Sequence, residues 1–315
     1  MSSLGRELST WLKENVLAIC TADWHLQLTP PIWRSNEPDW LDAMARPINE
    51  IKSLQHRFDC SVFIVGDIFD KWNSSPELIN WAIDNMPLGV CAIAGQHDLP
   101  YHSLKDIHKS AFATLIKADN IQYTSALSCP YQINEMIIYG YNYGCTIKIP
   151  EEKSKELKVA IAHQYVWIDG CNYQNAPNIG RVGRLEKQLT KYDVVIFGDN
   201  HIGFLMKIGK TTIFNCGSLM RRHSDQIDYT PMVGLLLSTG QIIPYFLDIS
   251  SDKYLEIDDN SIKGSNTNFK EFFSELEKLG DTGLDFEEAV IEYIKKKKPG
   301  KVIEKLLIEA MESKK

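Results

Sequence analysis

Five apolar runs along this chain end alike, on an Asp, a His or a carboxamide, and that repeated ending constrains the fold more than anything else in the sequence. Val16-Leu17-Ala18-Ile19-Cys20 leads to Asp23-Trp24-His25, and Val62-Phe63-Ile64-Val65 leads to Gly66-Asp67-Ile68-Phe69-Asp70. Val90-Cys91-Ala92-Ile93-Ala94 leads to Gly95-Gln96-His97-Asp98. Val159-Ala160-Ile161-Ala162 leads to His163, and Val194-Val195-Ile196-Phe197 leads to Gly198-Asp199-Asn200-His201. Short apolar runs of this kind read as interior strands, and the carboxyl end of such a strand is where an open α/β sheet places its chemistry. Together the five endings describe a dinuclear metal site rich in oxygen and nitrogen donors.

Helical spacing fills the intervals. Leu4, Leu8, Trp11 and Leu12 mark a short amphipathic helix over Leu4 to Glu14. Trp40, Met44, Ile48, Ile51 and Leu54 mark a helix from Asp39 to Phe58, bent or restarted at Pro47. Ser75-Pro76 supplies an N-cap and a first-turn proline for a helix through Met86, and a further helix is expected from Ser103 to Lys117. Met136 to Tyr141, Thr211 to Phe214, Gly234 to Leu237 and Ile242 to Phe246 then read as strands. The expected fold is α/β, two packed β-sheets flanked by helices, with a C-terminal helical appendage. The proline-rich loop Leu28 to Arg34 cannot be regular helix, and it is either a wall facing substrate or a buried loop.

Composition changes near Ser250, and a boundary falls near 255–265. Residues 1–255 form the expected catalytic domain, 256–267 a polar connector, and 268–315 a helical tail with apolar stripes at Phe269, Phe272, Phe273, Leu276 and at Val302, Ile303, Leu306, Leu307. No apolar run is long enough to span a bilayer, and Met1 to Arg6 lacks the charged-then-apolar pattern of a signal peptide, so a soluble, cytoplasmic protein is expected, with no membrane among its partners. The 7 cysteines include no Cys-x-x-Cys pair and read as reduced thiols. A net charge of -7 argues against coating nucleic acid non-specifically, but bound divalent ions would cancel much of the negative charge of Asp23, Asp67, Asp98 and Asp199.

In chain order the five endings resemble the calcineurin-like metallophosphoesterase superfamily, whose signature is Asp-x-His, Gly-Asp-x-x-Asp, Gly-Asn-His-Asp/Glu, a lone His and Gly-His-x-His. The resemblance covers residues 16 to 250 and implies its α/β/β/α sandwich. It also implies that Asp23, His25, Asp67 and His201 hold one divalent cation and that Asp67 bridges to a second held by Gln96, His163 and Asp199. By the same resemblance His97 faces the phosphate as general acid or charge stabiliser and Asp98 holds its imidazole; Asp70 stays outside the ligand set. Gln96 stands where the family has Asn and Asp199 where it has His, and the added carboxylate favours manganese or magnesium over zinc. The second site is therefore either rebuilt around a more anionic ligand set or decayed.

The superfamily's chemistry serves many phosphoesters. Asp23-Trp24-His25-Leu26, Gly66-Asp67-Ile68-Phe69-Asp70 and Asn215-Cys216-Gly217-Ser218-Leu219-Met220-Arg221-Arg222 are similar to words of the SbcD-type nucleases, although Cys216 replaces the usual proline. This implies a DNA exonuclease or endonuclease of recombination and repair, acting on DNA with an SbcC-type ATPase gripped by the tail, where Lys295 to Lys301 carries five positive charges. The compact length fits a virus-encoded version, and a homodimer is compatible with it. The alternatives are a stand-alone phosphodiesterase or phosphatase acting on a small molecule, and a scaffold that has kept the fold without the chemistry.

Overall fold

The alternation of side chains along each apolar run decides the architecture. The structure, a computed structural model, describes residues 10–125, 130–150, 154–173 and 176–255. Its strands, in chain order, are β1 (Val16–Thr21), β2 (Ser61–Val65), β3 (Val90–Ile93), β4 (Ile121–Tyr123), β5 (Tyr131–Ile133), β6 (Met136–Tyr141), β7 (Leu157–His163), β8 (Val194–Gly198), β9 (Phe204–Ile208), β10 (Thr211–Asn215), β11 (Met232–Leu237) and β12 (Ile242–Phe246). They form two sheets in the orders β12-β11-β1-β2-β3-β4 and β5-β6-β7-β8-β10-β9. Strands β1 to β4 pair in parallel, as do β6, β7, β8 and β10, so within each group the carboxyl ends share an edge.

Successive residues of a strand face opposite ways, and in the central strands both faces are buried. From the first sheet Ala18, Cys20, Phe63, Val65, Cys91 and Ile93 point into a core that they share with Ile138, Val159, Ile161, Val194, Ile196 and Phe214 of the second. Their neighbours Ile19, Val62, Ile64, Val90 and Ala92 turn to the other side, where they pack with Met44, Ile48, Ile51, Leu78 and Phe112. Ile137, Tyr139, Ala160, Ala162, Val195 and Phe197 do the same on the outer side of the second sheet. This is the double-sheet sandwich expected from the sequence, and it explains why the runs are apolar throughout.

The flanking helices are α1 (Trp40–Phe58), α2 (Pro76–Asn85), α3 (Ala111–Lys117) and the short α4 (Glu186–Leu189). Asp39 caps α1 by accepting from the Asp42 amide, and Ser75 caps α2 by accepting from Leu78. Helix α1 runs on through Pro47, so the expected restart there is replaced by one continuous element. The single helix expected over Ser103 to Lys117 is broken into a 3-10 segment, Leu104–Lys109, and α3. Ser110 makes the break: its extended backbone ends the first turn, and its hydroxyl donates to the Ile107 carbonyl and accepts from the Ala113 amide. Residues 10–15 are helical; the rest of the expected first helix, the connector 256–267 and the tail 268–315 lie outside the described residues.

Contacts divide the chain into two units. The first runs to Leu28 and includes Asp39–Met220 and Tyr229–Ser251, and so holds both sheets. The second gathers Thr29–Pro38, Arg221–Asp228 and the chain from Asp252. In it the buried Arg34 guanidinium pairs with Glu37, donates to Asp252 at 2.9 Å and to the Arg221 carbonyl at 2.7 Å, and lies 5.2 Å from the Tyr254 ring centroid. Arg221 meets the same Asp252 at 3.0 Å and the same ring at 4.9 Å. Within the proline-rich loop Trp33 and Arg34 are buried, Pro30, Pro31 and Ile32 half-buried and Thr29 exposed. Among the described residues no disulfide forms, and no helix is long and apolar enough to cross a membrane.

Candidate metal centre

All five polar endings leave strands of the first unit at carboxyl ends, three from the first sheet and two from the second. The chain turns there through backbone that L residues rarely adopt: φ is +51° at Asp23, +46° at His25, +54° at Asp67 and +84° at Asp199. Each such residue costs about 1–3 kcal/mol, which the surroundings must offset. They do so by lacing the endings together. The Asp23 amide donates to the Gly66 carbonyl at 3.1 Å and the His25 amide to the Asp67 carbonyl at 3.0 Å. The Asp199 amide donates to both carboxylate oxygens of Asp23, at 3.1 and 3.0 Å.

Two glycines permit the approach. A Cβ on Gly66 would run into the His163 ring, and one on Gly95 into the Asp67 carboxylate and backbone. The glycine in each motif is therefore demanded by the ligand on the neighbouring one, a steric reason that the words alone conceal.

The side chains converge in three overlapping groups, each with donor atoms within 4.8 Å of one another: Asp23, His25 and His201; Asp23, Asp67 and His163; and His25, Asp70 and His97. His25 Nε2 lies 3.2 Å from His201 Nε2 and 3.7 Å from Asp67 Oδ2. His163 Nε2 lies 3.3 Å from Asp67 Oδ2 and 2.7 Å from Gln96 Oε1, while the Gln96 amide nitrogen donates to Asp199 Oδ1 at 2.9 Å. Of the residues expected to hold a cation, Asp23, His25, Asp67, His163 and His201 share these groups; Asp199 is in none of them and is reached through Gln96, whose side chain spans His163 and Asp199.

The donor set fits a cation for a specific reason. His163 Nδ1 sits 2.7 Å from the Val65 carbonyl, which commits that nitrogen to a proton and turns the Nε2 lone pair toward the oxygens of Gln96 and Asp67. Acceptor then faces acceptor in a buried site, which stands only with positive charge among them. Asp67 Oδ2, fully buried, meets no hydrogen-bond donor of acceptable geometry among the described residues. Electrostatics agree. Burial opposes an imidazolium at His163, yet the Asp67 charge, with Asp23 and Asp199 behind it, pushes the ring well above its ordinary pKa, so the proton takes the place a metal would. Asp23 is driven well above the carboxylate range by burial and by the charges of Asp67 and Asp199, against the pull of His163. Burial pushes Asp67 the same way, but His163 and His97 outweigh it and hold the carboxyl below its usual value.

Two expectations change. Asp98 does not hold the His97 imidazole. Its fully buried carboxylate accepts from the amides of Gly95 at 3.0 Å, Ile68 at 3.3 Å and Phe69 at 3.2 Å, pinning the third ending to the second. Burial and the Asp67 charge push its pKa up to about 7, against the pull of those amides. The His97 ring is oriented by the Asp70 carbonyl, 2.7 Å from Nδ1. Asp70, left outside the ligand set on sequence grounds, enters the cluster with its carboxylate 3.6 Å from His25 Nδ1. Its place in the Gly-Asp-x-x-Asp word was the available signal.

The model of the calcineurin-like phosphoesterase superfamily domain matches residues 19–234. Among solved structures, a protein named as a 5′-nucleotidase from Staphylococcus aureus, in complex with α-ketoglutarate, is similar at a TM-score of 0.51 and 13% identity over 83% of this chain. This chain spans 58% of that one, somewhat over half its length. The calcineurin-like phosphoesterase YfkN from Bacillus subtilis is 15% identical over 82% of this chain and 99% of its own, with a TM-score of 0.46. At 13% identity the likeness to the first of these is one of fold. No curated protein matches the sequence.

Replacing Asp98 by Ala strips three buried amides of their acceptor, and unsatisfied buried donors cost about 1–3 kcal/mol each without adding fully. Asp98→Ala should lower unfolding free energy in a denaturant titration by about 2–5 kcal/mol. Unchanged stability with lost turnover would return Asp98 to an orienting role.

Proposed function

This chain belongs to the calcineurin-like phosphoesterase superfamily, and from that premise we propose that it is a phosphodiesterase acting on DNA with two divalent cations, manganese foremost. One observation carries the choice of DNA. In the segment similar to the SbcD-type nucleases, the part from Asn215 to Met220 lies against the cluster: the Ser218 amide donates to the His201 carbonyl at 3.1 Å and the Leu219 amide to the Asp23 carbonyl at 3.3 Å. The nuclease-like word is thus part of the frame that sets two ligand loops.

Asp23, His25, Asp67 and His201 would hold the first cation, and Gln96, His163 and Asp199, with Asp67 shared, the second. When bound, such a pair neutralises phosphate charge and makes water a nucleophile at neutral pH. The remaining work falls to the chain. The Val65 carbonyl fixes the His163 tautomer and so aims Nε2 inward. The Asp70 carbonyl accepts from His97 Nδ1 in the same way and so orients the ring assigned to the departing oxygen.

A second reading has its own support. A cavity of about 690 Å³, lined among others by Tyr143, Tyr165, Gln164 and Arg184, opens on His163 and Asp199 and is of the size that takes a small ligand. Manganese-dependent cleavage of linear DNA tests the first reading; hydrolysis of a bis-aryl phosphate with DNA left intact would decide for a small phosphodiester instead.

Asp67→Ala removes the one ligand assigned to both cations, so metal content and cleavage should fall together; full activity with manganese supplied overturns the assignment. In His97→Ala, by contrast, metal content should stay near wild type while turnover drops about 100-fold or more, the scale of a positioned proton donor. Loss of metal in that variant would make His97 a ligand. The tail is proposed to dock an SbcC-type ATPase. Full-length protein should co-purify with such a partner and a chain ending at residue 262 should not; equal recovery of both refutes the docking role.

A further inference from the structure

Scattered exposed apolar side chains are ordinary, but Tyr101 is not placed like one. It follows the third ending by three residues, is 82% exposed, and takes φ +53° with His102 next to it at +57°. Two consecutive left-handed residues, neither a glycine, hold an aromatic ring out in water beside the chemistry. Its partner is Trp72, half-buried, with ring centroids 6.0 Å apart and planes at 45°. Trp72 lies two residues beyond Asp70, whose carbonyl orients His97, and its own carbonyl accepts from the Ala111 amide at 2.7 Å, which ties the loop to the start of α3. The pair is thus fixed to the loop that positions the proposed proton donor.

The aromatic line continues into the cluster. His102 stands 6.0 Å from Tyr143, and Tyr143 stands 6.5 Å from the ring of His163. Around the pair the sequence places three exposed lysines, Lys71, Lys105 and Lys109, against Asp106, which pairs with Lys109 at 2.6 Å, and the more buried Asp70. Aromatic faces interleaved with cations are what an unpaired strand requires, since every base has a face to stack and every link a phosphate.

Resting on the nuclease reading, we propose that Trp72 and Tyr101 form a stacking platform for an unpaired nucleobase, which holds a single-stranded DNA end while a neighbouring phosphodiester reaches the metal centre. Stacking on one aromatic ring supports a loss of roughly 5- to 100-fold in affinity when it is removed. The probe is a fluorescein-labelled, phosphorothioate-linked single-stranded oligodeoxynucleotide, titrated by anisotropy into full-length protein with manganese. Tyr101→Ala and Trp72→Ala should each weaken binding by that factor with an unchanged salt slope, because no phosphate contact is lost, and Tyr101→Phe should restore it. Thermal melts of the variants distinguish this from unfolding; should Trp72→Ala melt early, the exposed Tyr101 pair of variants decides. Wild-type affinity in Tyr101→Ala overturns the platform and leaves the nuclease reading standing. Wild-type protein that binds no single strand overturns the platform, and cleavage of linear duplex DNA by the same preparation then tells whether the nuclease reading falls with it.

Discussion

The structure depends on strands that have no polar face. Because β1, β2, β3, β7 and β8 bury alternate residues in two different cores, side chains short of their carboxyl ends are taken up by packing, and polar function is pushed to those ends, His163 being the last residue of β7. Parallel pairing then brings those ends to a common edge in each sheet, and the packing of one sheet on the other brings ligands from both to one place. The metal cluster is therefore a by-product of topology to which the local sequence adds the donor atoms.

Much of this was legible before the fold was known. Runs such as Val194 to Phe197 fix their own direction, and the polar word that follows names the ligand. What hides is any role set by a partner distant in sequence. Asp98 and Asp70 have similar standing in the chain, each an Asp closing a motif, yet one is consumed by three backbone amides and the other faces an imidazole. No pattern of residue types separates these outcomes, because two of the three amides that decide between them, those of Ile68 and Phe69, belong to another loop.

Propensity failed for the same reason at Ser110. The stripe from Ser103 to Lys117 favours one helix, but a hydroxyl able to bond backward to Ile107 and forward to Ala113 offers the chain a competing arrangement. The second unit was likewise invisible. Arg34, Glu37, Arg221 and Asp252 are spread over more than two hundred positions, and only their ion pairs, with both guanidiniums over Tyr254, reveal that these distant segments belong together.

That the ligands come from two sheets has a thermodynamic consequence. Asp23, His25, Asp67 and Gln96 belong to one sheet's edge, His163, Asp199 and His201 to the other's. A cation bound among them binds the folded chain and not the unfolded one, so its free energy adds to that of folding by mass action, about 4 kcal/mol at a thousandfold excess over its dissociation constant. Cohesion between the two sheets would then rise with the free divalent-ion concentration around the chain, in step with occupancy of the candidate site.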